Sequence, residues 1–314
     1  MLPSTNITRY KKIFMKTPFL IFFSSFLLLC SCNFLKKEAK NPEKISDQWH
    51  QGKAEISSFE IQQARYGEIR KGQAVMIFVT EDFSEKKQVK LDAPEQYPND
   101  VVKILKLNFT KNFTTGIYPY SVMNSVFTPT HFKHLPASLK ITNSMQEWCG
   151  HTFTQLNKQG KKYKLIQHSY FENEGETYTQ ITPALLEDEL WNLIRIDPTQ
   201  IPTGKQKMLP ALMYLRFTHL PIIPQTAEIK ITQNDTLNTL SVYYPSLKRM
   251  LEIYFGTKEN LYTINGWKEI YTDGKGEKAR TLVSSGKKTQ TLWESYWNLN
   301  SNRDSLFRKK LQLE

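Results

Sequence analysis

Short runs of alternating apolar and polar residues follow one another through most of the chain. In residues 227–231, Ala227, Ile229 and Ile231 alternate with polar side chains, and residues 251–255 repeat the pattern. Because successive side chains of a strand point to opposite faces, this alternation predicts half-buried β-strands. Runs rich in β-branched and aromatic residues predict further strands at 56–66, 74–79, 101–109, 115–127, 139–144, 148–156, 163–171 and 176–181. Roughly a dozen antiparallel strands are therefore expected.

Three segments predict details of this sheet. Residues 74–79 are apolar without alternation, which predicts a core strand covered on both faces. Arg70–Gly72 predicts the turn of a hairpin between the first two strands. Asn265-Gly266 is the strongest hairpin signal in the chain, because both residues tolerate the positive φ of a type I′ turn.

One segment breaks the β pattern. Thr182-Pro183 offers an N-cap and a first-turn proline, and apolar residues at 186, 190, 193 and 194 then fall on one helical face until Asp197-Pro198. Residues 205–217 predict a second helix that Pro210 would kink or break. The predicted fold is a large curved antiparallel sheet or unclosed β-barrel, mainly β, with a helical insertion near 183–217 that would plug its concave face. This architecture is similar to the periplasmic lipoprotein-carrier and lipoprotein-receptor fold.

The N-terminal stretch Phe19–Cys32 is apolar and short. Four basic residues and no acidic residue precede it, which is typical of a secretory signal, and a transmembrane helix needs about 20 apolar residues. Its end, Leu29-Cys30-Ser31-Cys32, resembles a bacterial lipobox with Leu at −3 and Ser at −1 relative to Cys32. A signal that starts at Met15 would also be complete, so Met1 and Met15 are alternative start sites.

The lipobox implies that residues 1–31 are removed and that Cys32 carries diacylglycerol and an N-acyl chain, which together give stable membrane attachment. Residues 32–48 are polar and lysine-rich, and they predict a tether to a single β-rich domain over 49–314. Asn33 after the lipidated cysteine favours the outer membrane, with the domain facing the periplasm. An ordinary cleaved signal in which the two cysteines are incidental is the alternative.

Charge and cysteine content follow from this signal. Removal of residues 1–31 takes away four basic residues and no acidic one, so the formal net charge falls from +12 to +8. Behind a lipid anchor, the dispersed lysines suggest anionic lipid head groups or a solvated surface, and no nucleic-acid partner is expected. Cys149 is then the one unmodified cysteine, so the mature chain has no intramolecular disulfide.

The densest group of reactive residue types is Gln146–His151. If this segment is a strand, Cys149 and His151 point to the same face, where the imidazole can favour a thiolate. Such a pair would act as a nucleophile, with Glu147 as the orienting residue. The alternative is structural, with Cys149 as a small apolar residue and Trp148 in the core.

Other candidate chemistry is sparse. His131 and His134 offer two imidazoles among prolines without an evident third ligand, so neither a metal nor another cofactor is predicted. The chain lacks G-x-S-x-G, H-E-x-x-H, Walker A and G-x-G-x-x-G patterns. Aromatic residues recur at strand positions, where they would either line a cavity for an acyl or aromatic ligand or form the core: Tyr118, Tyr120, Phe127, Tyr243, Tyr244, Trp267, Trp293, Tyr296 and Trp297.

Several segments resemble a family of uncharacterised Bacteroidota lipoproteins, some members of which are labelled septum formation inhibitor Maf. These segments are 64–68, 106–109, 115–120 and 146–151, and the resemblance spans most of the mature chain. The Maf nucleotide pyrophosphatases are cytoplasmic α/β enzymes with a Ser/Arg-rich phosphate loop near the N-terminus, where this chain has a signal instead. The resemblance therefore implies a lipoprotein and no particular activity.

Together these features predict a non-enzymatic, lipid-anchored envelope protein that binds a hydrophobic ligand or an envelope partner on a curved β-sheet. Its predicted contact with the membrane is the Cys32 anchor. Two alternatives stay open: an envelope hydrolase or transferase that uses Cys149 and His151, and a structural envelope scaffold.

Overall fold

The computed structural model describes residues 45–313, and it is mainly β, with 54% strand and 18% helix. Fifteen strands form one large mixed sheet that is not closed into a barrel. The predicted fold class is therefore confirmed. Among the described residues, no helix is long and apolar enough to cross a membrane. The predicted signal peptide, the lipidation site Cys32 and most of the tether lie outside the described residues.

All fifteen strands belong to the same sheet, and they are numbered here in chain order. The strands are β1 (Ala54–Arg65), β2 (Glu68–Ser84), β3 (Val101–Thr115), β4 (Tyr118–Pro129), β5 (Lys140–Glu147), β6 (Gly150–Gln159), β7 (Lys162–Ser169), β8 (Glu176–Ile181), β9 (Leu185–Leu186), β10 (Gly204–Leu209), β11 (Gln225–Thr232), β12 (Asn238–Tyr244), β13 (Arg249–Phe255), β14 (Ile264–Asp273) and β15 (Arg280–Glu294). The α-helices are α1 (Leu190–Ile196), α2 (Leu212–Thr218) and α3 (Leu306–Lys310).

The sheet consists of two meanders that meet at its centre. One meander runs outward from β1 to β8 and the other from β15 to β9, while β1 and β15 pair with each other. All neighbouring pairs are antiparallel except β9 with β10. Only residues 182–184 separate the edge strands β8 and β9, so the end of β8 lies within about 14 Å of the start of β9. The link brings the two edges of the sheet close together at this point.

The concave face is filled by a single apolar core. Helices α1 and α2 pack into this face, and every residue of α1 is buried. The ring centroid of Trp191 lies 5.5 Å from that of Phe109 and 5.9 Å from that of Trp267. Because α1 is enclosed by the sheet, its apolar residues extend around the helix instead of forming one stripe.

The helical insertion is present but shorter than predicted. The helix expected to start at Thr182-Pro183 begins only at Leu190, because Leu185 and Leu186 pair with β10 and residues 187–189 form a 3-10 turn. Residues 204–209 form β10 instead of a helix, and α2 begins after Pro210. Main-chain pairing with the sheet edge satisfies the backbone here, so it overrides the helical pattern.

Two predicted turns are wrong. Arg70–Gly72 lies inside β2, and the turn is Tyr66-Gly67, with φ of 60° and 76° as a type I′ turn requires. Asn265-Gly266 lies inside β14, where Asn265 forms a bulge opposite β13. Gly266 is needed for close backbone approach, since a Cβ there would lie 2.4 Å from the carbonyl oxygen of Gly286.

Residues 74–79 form a central strand covered on both faces, as predicted. Ala74, Met76 and Phe78 are buried in the concave core. The outward side chains of Val75 and Ile77 pack against a smaller cluster that includes Leu311 and Leu313 from the C-terminal segment. The predicted tether is also partly structured, because Ile45 is buried and residues 47–50 form a 3-10 turn.

Candidate functional site

The predicted Cys149 site lies at a hairpin tip. Residues 148 and 149 form the turn between β5 and β6, so the expectation that a strand runs through Cys149 is wrong. The main-chain N–H of Cys149 donates to Glu147 Oε2 at 2.7 Å, and both Cys149 and His151 are exposed. Hydrogen bonding to Glu147 raises the pKa of the thiol, which disfavours the thiolate that nucleophilic attack needs.

The histidine pair is also not organised as a site. His131 Nδ1 lies 3.2 Å from the hydroxyl of its neighbour Thr130. Within the described part of the chain, no group of three or more His, Cys, Asp or Glu residues is placed to hold a metal ion.

A charged cluster lies buried beneath the helices, and sequence reasoning missed it. Arg249 donates two hydrogen bonds of 2.6 Å to Glu187 and one of 2.7 Å from Nε to Glu269. The hydroxyl of Tyr244 donates to Glu187 at 2.7 Å. The ring of Tyr214 covers the guanidinium at 4.2 Å. Each charge is therefore paired or stacked, as burial of an ion requires.

The other two acidic residues of the 3-10 turn before α1 each contact a different element. Asp188 accepts from the side-chain amide of Asn124 and from the main-chain N–H of Leu212, both at 3.0 Å. Glu189 Oε2 accepts the main-chain N–H groups of Ala137 and Ser138 at 3.0 Å. The turn thus attaches the helical insertion to both meanders.

Lys111 completes the cluster from β3. Its ammonium donates to Gln63 at 3.1 Å and lies 5.3–5.4 Å from the ring centroids of Phe109 and Trp267. Burial lowers the pKa of Lys111 to about 8 and raises that of Asp188 to about 7. The sequence feature that could have indicated this cluster is a lysine at an inward-facing strand position between Phe109 and Phe113.

The cavity beside this cluster is small. Its volume is about 40 Å³, enough for ordered water but far below the roughly 300–1,000 Å³ of ligand pockets. Of the aromatic residues that sequence analysis weighed between cavity and core, Tyr120, Tyr244 and Trp267 are buried in the apolar core. The cavity beside the cluster is therefore too small for an acyl chain.

In contrast to the buried interior, large apolar side chains are exposed on four hairpin tips at one end of the sheet. Tyr66, Ile117, Trp148 and Tyr170 are 41%, 81%, 68% and 71% exposed, and they come from the tips that join β1–β2, β3–β4, β5–β6 and β7–β8. We call these residues, together with Tyr118, the hairpin rim. Consecutive strands of an antiparallel meander place alternate turns at the same end, so the rim is one edge of the molecule.

Contacts connect three of the rim residues, Tyr66, Tyr118 and Trp148. The hydroxyl of Tyr66 lies 2.7 Å from that of Tyr120, whose ring is 6.0 Å from that of Tyr118. The Tyr118 and Trp148 rings are 6.4 Å apart. The ring of Tyr170 covers Gly150, since a Cβ there would lie 2.7–2.9 Å from it.

An open groove of about 570 Å³ adjoins the rim on the outer face of β2–β5. Phe113 and Tyr120 are buried on the concave face, so their neighbours along β3 and β4 point outward. The groove is lined by Lys71, Gly72, Gln73, Asn112, Phe113, Thr114, Pro119, Tyr120, Ser121, Gln146, Glu147 and Trp148.

Comparison of the chain with protein-family models, with curated proteins and with solved structures found no match in any of the three.

Proposed function

We propose that this protein is a lipid-anchored, periplasm-facing outer-membrane protein that acts by binding an envelope component on its hairpin rim and outer groove. The observation that carries the proposal is the rim itself: four successive hairpin tips each expose a large apolar side chain. Contiguous exposed apolar surface marks interaction sites, and Tyr and Trp are enriched where binding energy concentrates.

The small interior volume favours recognition at this surface over capture of a hydrophobic ligand inside the sheet. The cavity of about 40 Å³ is bordered by charged side chains, and an acyl chain placed against them would leave buried charges poorly solvated. Of the two binding modes that the sequence suggested, recognition of an envelope partner is therefore the one proposed.

Photo-crosslinking in intact cells tests the binding surface. A photoreactive amino acid at Ile117 or Trp148 is expected to give a discrete crosslinked product. The matched control is Val89, which is 45% exposed in the β2–β3 connection at the opposite end of the sheet. Equal crosslinking from Val89 and the rim, or none from the rim, would contradict the proposal.

Two measurements test the anchor and the alternative ligand. Cys32→Ala is expected to release the protein from the membrane fraction, whereas Cys30→Ala is expected to leave it there. Native mass spectrometry of the mildly extracted protein is expected to show no retained lipid beyond the anchor. A lipid that stays bound to the Cys32→Ala protein would favour interior capture instead.

A further inference from the structure

We propose that the outer groove is a saccharide-binding site that takes a short stretch of uncharged glycan, with the indole of Trp148 as its stacking surface. This inference rests on the proposed function and names the chemical class of the envelope component. It is carried by the arrangement of polar side chains across β2–β5, by the lack of internal partners of Asn112, Ser121 and Gln146, and by the exposed indole beside them.

Four polar side chains form one cross-strand row on the floor of the groove. Gln73 pairs with Asn112, Asn112 with Ser121, and Ser121 with Gln146 in the register of β2–β5. Neighbouring strands are about 4.8 Å apart, which is close to the length of one pyranose residue along an extended glycan. Gln73, at the end of the row, donates its side-chain amide to the main-chain carbonyl of Gln312 at 3.1 Å. The other three members, Asn112, Ser121 and Gln146, thus present one free amide or hydroxyl group per strand, at about the spacing of one sugar residue.

Apart from Gln73, the uncharged polar side chains of the groove are available for a ligand. The side chains of Asn112, Thr114, Ser121 and Gln146 form no hydrogen bond or ion pair with any described residue. Side-chain amides and hydroxyls both donate and accept, which matches the mixed donor and acceptor character of sugar hydroxyls.

The same strand provides a contrast. Farther along the outer face of β3, Lys106 pairs with Glu81, Asn108 accepts from Ser125 at 2.7 Å, and Thr110 donates to the carbonyl of Val75 at 3.4 Å. Outward polar side chains of β3 are therefore paired within the protein until the groove begins. The change from paired to unpaired groups coincides with the depression beside Trp148.

Trp148 supplies the apolar contact that a sugar ring needs. Its side chain is 68% exposed, and Tyr118 supports it at a ring distance of 6.4 Å. The hydrogen bond from the Cys149 N–H to Glu147 fixes the turn that carries the indole. A preorganised aromatic face loses little conformational entropy when it binds.

Other ligand classes fit the groove less well. Its lining contains one ammonium, Lys71, and one carboxylate, Glu147, so it has no net charge to attract phosphate or an acidic polymer. An acyl chain would leave the side chains of Asn112, Ser121 and Gln146 without hydrogen-bond partners. A peptide strand needs a free sheet edge, whereas β2–β5 are hydrogen-bonded on both sides.

Co-sedimentation of the full-length, detergent-extracted protein tests the inference. The probes are peptidoglycan sacculi, chitin, cellulose and phosphatidylethanolamine–phosphatidylglycerol vesicles. We expect retention by at least one glycan, release by the matching soluble tetrasaccharide, and no retention by vesicles in excess of the detergent control. The glycan that retains the protein separates an amino-sugar chain from a glucose chain.

Groove variants and matched controls locate the binding. Trp148→Ala and the double variant Asn112→Ala with Gln146→Ala are each expected to weaken retention about tenfold or more, as loss of a central contact does. Trp297→Ala removes an exposed indole elsewhere and Asn234→Ala an exposed loop amide, and both are expected to bind normally. Thermal unfolding checks that each variant is folded.

The outcomes separate this inference from the proposed function. Absence of glycan retention, or retention that Trp148→Ala and the double variant leave intact, overturns the saccharide site while rim crosslinking still supports a binding surface. Retention by vesicles and by no glycan would mean that the rim binds a membrane surface instead of a saccharide. Failure of both glycan retention and rim crosslinking removes the proposed function as well.

Discussion

The buried cluster around Arg249 and the outer groove beside Trp148 both gather polar side chains, but they treat them in opposite ways. Around Arg249, each ion has a charged or hydrogen-bonded partner, and the remaining space is about 40 Å³. In the groove, the side chains of Asn112, Ser121 and Gln146 face an open depression of about 570 Å³ without hydrogen-bond partners among the described residues. Pairing is obligatory where water is excluded and optional where it is not. The first region therefore stabilises the fold, and the second is free to bind.

Removal of Arg249, the central cation of the buried cluster, should lower the stability of the fold more than the other substitutions. Arg249→Met leaves Glu187 and Glu269 buried without their partner, and we expect a loss of about 3–5 kcal/mol in the free energy of unfolding. Denaturant titration measures it. Arg280→Met, at an exposed position at the start of β15, is the matched control, with an expected change below about 0.5 kcal/mol. A loss under about 1 kcal/mol for Arg249→Met would show that the cluster contributes little.

The pH dependence of the free energy of unfolding should reflect the shifted pKa values of Asp188 and Lys111. Burial raises the pKa of Asp188 from 3.8 to about 7, so its contribution is present below pH 3.8 and is lost as the pH rises through 7. Burial lowers the pKa of Lys111 from 10.5 to about 8, so its contribution is present above pH 10.5 and is lost as the pH falls through 8. Each window should span on the order of 3 kcal/mol.

Unfolding curves from pH 4 to 10.5 measure these windows. Asp188→Asn should reduce the slope between pH 4 and 7, where Glu189, whose pKa burial also raises, contributes the remainder, and it should keep the slope above pH 8. Lys111→Met should reduce the slope above pH 8 and keep the slope below pH 7. If both slopes are unchanged in both variants, other groups must carry the pH dependence.

A methyl group at Gly286 should disturb the packing of the apolar core, with a smaller loss of stability than Arg249→Met. A Cβ there would lie 2.1–2.4 Å from the ring of Trp267, so the ring must move. We expect Gly286→Ala to cost about 1–3 kcal/mol, measured by thermal unfolding. Ser285→Ala, one position along β15, should be nearly neutral. Equal effects at the two positions would argue against this packing.

Groove substitutions should have the smallest effect on stability. Gln146→Ala and Trp148→Ala remove exposed side chains, and each should change the free energy of unfolding by less than about 0.5 kcal/mol. Denaturant titration beside Arg249→Met makes the comparison direct. A loss above about 1 kcal/mol in either variant would mean that the groove is also part of the structural core.

The sequence allowed the sheet to be predicted because strand alternation is a local signal. Ala227, Ile229 and Ile231 sit on one face of β11 as their spacing predicts. The signal failed where a tertiary contact decides the local structure. Asn265-Gly266 has the composition of a turn, yet it lies inside β14, because Gly266 pairs with β15 and packs closely against the main chain of Gly286.

The two polar regions were beyond sequence reasoning for a related reason. Arg249 and Glu187 are 62 positions apart, and no local pattern shows that they meet. The polar row joins four strands through a register that becomes visible only when the sheet is assembled. By contrast, Cys149 and His151 attracted attention because they are close in sequence, and they lie at a solvent-exposed tip.

The pairing of the first described strand with the last has a kinetic consequence. Ser57 on β1 and Thr291 on β15 are bonded across 234 positions, so the centre of the sheet forms only after nearly the whole domain is available. Contacts this distant in sequence slow folding, and each meander alone would expose an unpaired strand edge. Until β15 is available, the unpaired edge of β1 is therefore open to pairing with strands of other chains, and the last strand to be synthesised is the one that protects the domain from aggregation.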